Sequence, residues 1–176
     1  GFSYFETYQM QQIRLMGTTA DVGITNVTEN QLVEISKSNL VLDVGIQQRL
    51  GSVDTEQLQN ARLGIVWIDD TEWEHHRLPT ISGVVGNYPS SKNEIMLPTW
   101  VLEQMGISDP QIGMEIVLSY QIGDSYDYVT DTFLLSGYYT DYIPMRTNNR
   151  GYVYVSSAFK DSLNVSLDNS VTAMIR

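Results

Sequence analysis

The sequence predicts an α+β fold: a mixed sheet with short helices formed by both chain ends, plus an inserted smaller α/β lobe with a β-meander. Three observations predict it. After Gly113 the side chains alternate, with Met114, Ile116, Leu118 and Tyr120 on one side and Glu115, Val117 and Ser119 on the other, as in a half-buried strand. Thr28 and Gln31 form a capping box, which opens a helix. Strand-type runs lie towards both ends of the chain, at Ala20 to Asn26 and Ser170 to Ile175, so the two ends can share one sheet.

Taken in order, Phe2, Phe5, Gln9 or Met10, Ile13 and Met16 recur at roughly helical spacing with Gly17 as a stop, which predicts a first helix. Ala20 to Asn26 is a short strand, and Glu29 to about Ser36 a helix with Val27 and Leu32 placed as a hydrophobic staple. Leu40 to Val53 reads as a long strand bent near Gly45 and Gly51. The Asp54-to-Asn60 stretch connects it to a strand at Ala61 to Ile68. Pro98 to Met105 is a short helix, because Val101, Leu102 and Met105 share a face, Gly106 can take the left-handed stop conformation and Ile107 can pack back on Leu102. Gln121 to Ser125 supplies turn chemistry, and Tyr126 to Leu135 returns antiparallel to the strand after Gly113. Asp141 to Arg150 reads as a loop between lobes. Gly151 to Val155 is a strand, Ser156 to Leu163 a helix capped by Ser156 or Ser157, and Ser170 to Ile175 the last strand. This order predicts one lobe from residues 1–78 and 142–176, and a smaller inserted lobe over 79–141.

Composition excludes several functions. The 176 residues contain no cysteine, so disulfides, thiolate metal sites and cysteine nucleophiles are ruled out. With 21 acidic and 10 basic residues the formal net charge is −11, which disfavours nucleic acid, a partner that needs a basic footprint. The longest apolar run, Leu63 to Ile68, falls far short of the ~20 residues of a membrane helix, so these residues are expected to be soluble. Gly1 opens on an aromatic, polar stretch with no basic or apolar leader region, so no signal peptide is predicted in them.

Between Ile81 and Tyr138 five short motifs follow one another: Gly86-Asn-Tyr-Pro, Asn93-Glu-Ile-Met-Leu-Pro, Leu102-Glu-Gln-Met-Gly-Ile, Ile112-Gly, and Leu135-Ser-Gly-Tyr. In this order and spacing they resemble the extracytoplasmic core domain of MacB/FtsX-type ABC transporter permeases. The Gly17-Thr-Thr-Ala-Asp and Val44-Gly-Ile-Gln-Gln-Arg-Leu-Gly segments resemble members from Gram-positive bacteria; Ser136-Gly137-Tyr138 departs mildly from the family's ending. The resemblance implies a domain strung between two transmembrane helices on the extracellular face of the cell membrane, its first helix continuing out of a membrane span. Its partners would be the membrane helices of the same permease, a separate ABC ATPase and an exported peptide or lipoprotein. It also implies no catalytic residue and no cofactor here, since ATP hydrolysis belongs to the separate nucleotide-binding domain.

The residues themselves offer little chemistry. The two histidines, His75 and His76, lie in Asp69-Asp-Thr-Glu-Trp-Glu-His-His-Arg. Glu72, His75 and His76 are therefore the one place where a metal site, and with it a metal-dependent hydrolase, can be sought. Adjacent histidines diverge on either a helix or a strand, and the spacing is not that of His-Glu-x-x-His, so a solvated loop or short helix is the plainer reading. There is no Gly-x-Ser-x-Gly elbow and no phosphate loop. Tyr138, Tyr139 and Tyr142 form either a partner-facing patch or part of the lobe junction. The acidic surface and aromatic loops also suit an alternative function: an extracellular binding or sensor module for a cationic peptide or antibiotic. The sequons at Asn26 and Asn164 are attributed to chance.

Overall fold

A computed structural model describes residues 11–13, 15–164, 167 and 170–176. The fold is α+β, with ten strands in a mixed sheet and short helices among the described residues. The described residues divide into two compact units: unit 1 takes those within 11–48, 68–80 and 167–176, and unit 2 those within 49–67 and 81–164.

Unit 1 is built by both ends of the described chain. Strand β1 (Gln11–Ile13) pairs antiparallel with β2 (Val22–Thr25). Strand β10 (Val171–Ile175) lies antiparallel to β2 on one side and to the first half of β3 (Val44–Val53) on the other. Helix α1 (Glu29–Lys37) opens with the expected capping box: Thr28 Oγ1 accepts the Gln31 N–H at 3.2 Å, and Gln31 Oε1 accepts the Thr28 N–H at 2.9 Å. The core of the unit is Val22, Ile24, Ile35, Ala173 and Ile175, with Val27, Leu32, Val41 and Val44 packed against it. Period-two side chains from three strands thus meet one helical face. The expected first helix is corrected where it can be seen. Residues 11–13 are strand, because pairing with β2 satisfies their backbone better than an isolated amphipathic turn. Leu15 and Met16, expected in the same helix, carry no regular structure, and its remaining residues, 1–10 and 14, lie outside the described residues.

Unit 2 closes on itself. The second half of β3 neighbours β4 (Arg62–Ile68), which pairs parallel with β9 (Arg150–Val155); β9 pairs antiparallel with β6 (Glu94–Pro98) and β6 parallel with β8 (Val129–Thr140). Strand β7 (Glu115–Ile122) pairs antiparallel with β8 and, through Gln121 and its neighbours, with Gly51 to Val53 of β3, completing a ring of six strands. Closure leaves β5 (Ser82–Gly86) alone outside it, antiparallel on β8. The close approach of β7 needs Gly51, where a Cβ would fall 1.9 Å from the Gln121 carbonyl oxygen. The expected alternation along β7 is present, with Ile116, Leu118 and Tyr120 buried and Glu115 and Val117 exposed. Tyr120, Phe133 and Phe159 pack with ring centroids 5.8 to 6.1 Å apart.

Helix α2 (Thr99–Gln104) stops as its sequence requires: Gly106 has φ +81°, Ile107 N–H bonds to Leu102 O at 2.9 Å, and Gly106 N–H bonds to Glu103 O. Pro98 stands in extended conformation at the N-cap position, just before the first turn, and makes no side-chain capping bond. Helix α3 (Ile143–Thr147) occupies the stretch expected to be a loop. Helix α4 (Ser157–Asp161) is capped by Ser156, whose Oγ accepts the Phe159 N–H at 3.0 Å.

The unit boundaries differ from the expected lobes at 79–141 and at 1–78 with 142–176. Strand β9 and helix α4 go with the central unit, because β9 is held by β4 and β6 and Phe159 is held by Tyr120 and Phe133. The inserted unit is consequently the larger of the two.

Candidate functional site

The histidine segment follows β4 in unit 1. Asp69 begins it by using one carboxylate oxygen, Oδ1, twice, accepting the Ile46 N–H at 3.0 Å and the Glu72 N–H at 2.9 Å. Glu72 to Arg77 then form a π-helical turn, closed where Leu78 N–H reaches back five residues to Trp73 O. Such wide turns are uncommon and cluster at functional sites. This one turns Glu72, His76 and Arg77 inward and leaves Glu74 and His75 exposed.

Inside, the three buried side chains form one polar network. Glu72 Oε1 lies 2.5 Å from His76 Nδ1, while Glu72 Oε2 accepts from Arg77 Nε at 2.5 Å and from Thr18 Oγ1 at 3.0 Å. Arg77 also donates to Gln47 Oε1 on β3. The other ring nitrogen of His76, Nε2, lies 2.6 Å from Asp43 Oδ1, and Asp43 Oδ2 accepts from Arg176 at 2.5 Å. Backbone bonds frame the network: Thr19 N–H to His76 O at 2.8 Å, and Leu42 N–H to Arg176 O at 2.7 Å. Strand β3 passes so close that a Cβ on Gly45 would sit 2.6 Å from Glu72 Oε1 and 2.9 Å from its Cα. Glycine there is a condition for the network.

Its electrostatics follow from these contacts. Burial acts to lower the His76 pKa, but the hydrogen bonds and negative charges of Glu72 and Asp43 outweigh it, and the imidazole is held above its usual value. Burial acts to raise the Asp43 pKa, and the bonds and charges of His76 and Arg176 reverse that, holding the carboxyl below its usual range. Asp69 is pushed up by burial, against the two backbone N–H bonds it accepts.

Of the three residues considered for a metal, the structure joins Glu72 and His76 and separates His75, which is exposed. Both nitrogens of His76 are committed to carboxylates, so neither offers a lone pair to an ion. No group of three or more His, Asp or Glu among the described residues is arranged to hold one. The same commitment leaves no nitrogen to take a proton from a nucleophile, as a hydrolytic base must. Asp43, Gln47, Thr18 and Arg176 were not singled out by the sequence. Asp43 is 33 positions from His76, and Arg176 is 133 from Asp43, so no local pattern marks them.

The three tyrosines do not form one patch. Tyr138 and Tyr139 point to opposite faces of β8, and Tyr139 is only 2% exposed, its ring tilted against that of Tyr154 with centroids 6.2 Å apart. Tyr139 is thereby corrected as a partner-contact residue; Tyr142, at the start of α3, is 41% exposed.

In unit 2 the motifs between Ile81 and Tyr138 meet one another. Ser136 Oγ lies 2.9 Å from Asn87 O and 3.1 Å from Ile95 O, able to donate to either. Tyr88 donates to Val155 O at 2.9 Å. Glu94 Oε1 accepts the Ser91 and Ser90 N–H groups at 2.7 and 3.1 Å, which together with the Ser90 hydroxyl hold its pKa below the usual value against a smaller effect of burial. A Cβ on Gly137 would strike Met96 and the carbonyls of Asn87 and Val85. The Gly-Asn-Tyr-Pro turn is thus fastened to β6, β8 and β9.

No protein-family model matches the chain, and no curated protein matches it closely enough to count as a relative.

Proposed function

We propose that the chain is the extracytoplasmic domain of a MacB/FtsX-type ABC transporter permease. It relays ATP-driven motion of the membrane helices to an exported substrate or a partner outside the membrane. The observation that carries this reading is that β2 and β10 are neighbouring strands of one sheet in unit 1. A load applied near both ends of a chain acts on one rigid body when those ends are paired by backbone hydrogen bonds. Pulled together, they move the unit as a whole; pulled apart, they shear the ladder. The motif order from Ile81 to Tyr138, fastened as described above, adds to the reading. None of the described helices is long and apolar enough to cross a membrane, so the spans would have to be supplied outside these residues.

The test is made on the full-length gene product in its native membrane. The expectation is that it resists alkaline carbonate extraction and co-purifies with an ABC ATPase. A product released by carbonate, or one with no ATPase bound, contradicts the proposal.

A second reading, capture of a cationic peptide, has its own support: a net charge of −11, and Tyr126, 93% exposed, between Asp124 and Asp127 at the β7–β8 tip. Calorimetric titration with a basic peptide at low and high salt separates it from pure transmission. Saturable binding that weakens with salt supports capture, and no heat at either salt removes it.

A further inference from the structure

A neutral imidazole carries one N–H and one lone pair, and an ionised carboxylate only accepts. His76 has a carboxylate oxygen at each ring nitrogen, 2.5 Å from Nδ1 and 2.6 Å from Nε2, and its side chain is fully buried. A neutral ring would aim a lone pair at one of those oxygens. The other way out, a protonated carboxyl, is opposed on both sides. The second oxygen of Glu72 already accepts from Arg77 and Thr18, and the second oxygen of Asp43 from Arg176, so neither carboxylate has a neighbour that would favour a proton. Only the imidazolium satisfies every contact.

We propose that His76 is a proton-operated clasp: as imidazolium it ties the π-helical turn to Asp43, at the lead-in to β3, and through Asp43 to Arg176 at the end of β10, and on losing its proton it releases both. The inference rests on unit 1 alone, not on the permease reading. Among the described residues, the charged and titratable groups that bear on it come from every segment packed there. These are Glu72 and Arg77 from its own turn, Asp43 before β3, Arg176 after β10, and Asp69 at the head of the turn, with Thr18 and Gln47 as neutral partners. His75 and Glu74 are exposed. The sign follows from the raised folded-state value. The clasp contributes fully below the unfolded imidazole pKa of about 6.5 and is lost as pH rises through the higher folded value. It opens on the alkaline side. A unit so built is stiff while His76 holds its proton and loosens at its sheet end as pH rises through the folded value.

The experiment uses His75→Gln, which leaves His76 as the only imidazole of the chain. Side-chain nitrogen NMR is followed from pH about 5 to about 10, together with hydrogen-exchange protection of the Leu42 and Thr19 amides. The expected result is a His76 midpoint above the free value, both nitrogens protonated below it, and protection of both amides falling with the same midpoint. Asp43→Asn removes one anionic partner and lowers the midpoint by about one unit or more, tenfold in proton affinity. Arg176→Gln removes a competing cation from Asp43 and raises it. Arg176 is about a third exposed, so this variant keeps the proposal testable if Asp43→Asn does not fold. A His76 midpoint at or below the free value, amide protection unchanged through its titration, or shifts of the same sign in both variants would overturn the clasp.

Discussion

Arg77 shows how much rests on single side chains in unit 1. Its guanidinium is almost wholly buried against the fully buried Glu72. Removing one partner of such a pair strands the other charge in a medium that cannot solvate it, at about 3–5 kcal/mol. Arg77→Met should therefore lower the urea midpoint by that equivalent, whereas Glu74→Ala, on the exposed face of the same turn, should change stability by no more than about 0.5 kcal/mol. Asp43 sets the acid limb. Its folded pKa lies below the unfolded value near 3.8, so the stability it contributes is present above that value and lost as pH falls through the lower folded one. Asp43→Asn should flatten that limb in an acid-unfolding curve. These residues were legible only in part. Glu72 and His76 stand out as titratable groups four apart, but a chain read in order has no means of placing Asp43 or Arg176 beside them.

Elements whose rules are local read well from the sequence; those defined by distant partners did not. The capping box at Thr28, the cap at Ser156 and the stop at Gly106 involve neighbours within five positions, and each formed as its chemistry requires. Thr28→Ala should cost about 1 kcal/mol and be felt mainly in amide exchange along α1. Strand β6 was missed because Glu94-Ile-Met-Leu-Pro is too short for periodicity to declare itself. It is a strand because β8 and β9 flank it. Strand β5 was missed for its glycines, one of which, Gly83, has a positive φ beside an irregularity in the ladder. The π-helical turn has no sequence signature apart from what it achieves, the burial of Glu72, His76 and Arg77 together.

At the scale of the molecule, the α+β class followed from alternating and capped segments, while the division into units depended on ring closure. Nothing in the sequence announces that β7 pairs with β3 across Gly51, or that β9 leaves the terminal strands for β4 and β6. The aromatic cluster of Tyr120, Phe133 and Phe159 stands on that closure. Phe159→Ala should destabilise by about 3–5 kcal/mol, read as a lower thermal midpoint. Its loss should reach the amides of β7 and β8 before those of β2 and β10, if each unit opens by itself.

The location proposed for the domain is open to one direct measurement. The 176 residues contain no cysteine, and Tyr126 is 93% exposed. Tyr126→Cys, introduced into the full-length gene product with any other cysteines replaced, can be treated in intact cells with a maleimide that does not cross membranes. The account predicts full labelling without permeabilisation. Labelling that appears only after the cells are opened would place the domain inside and contradict it.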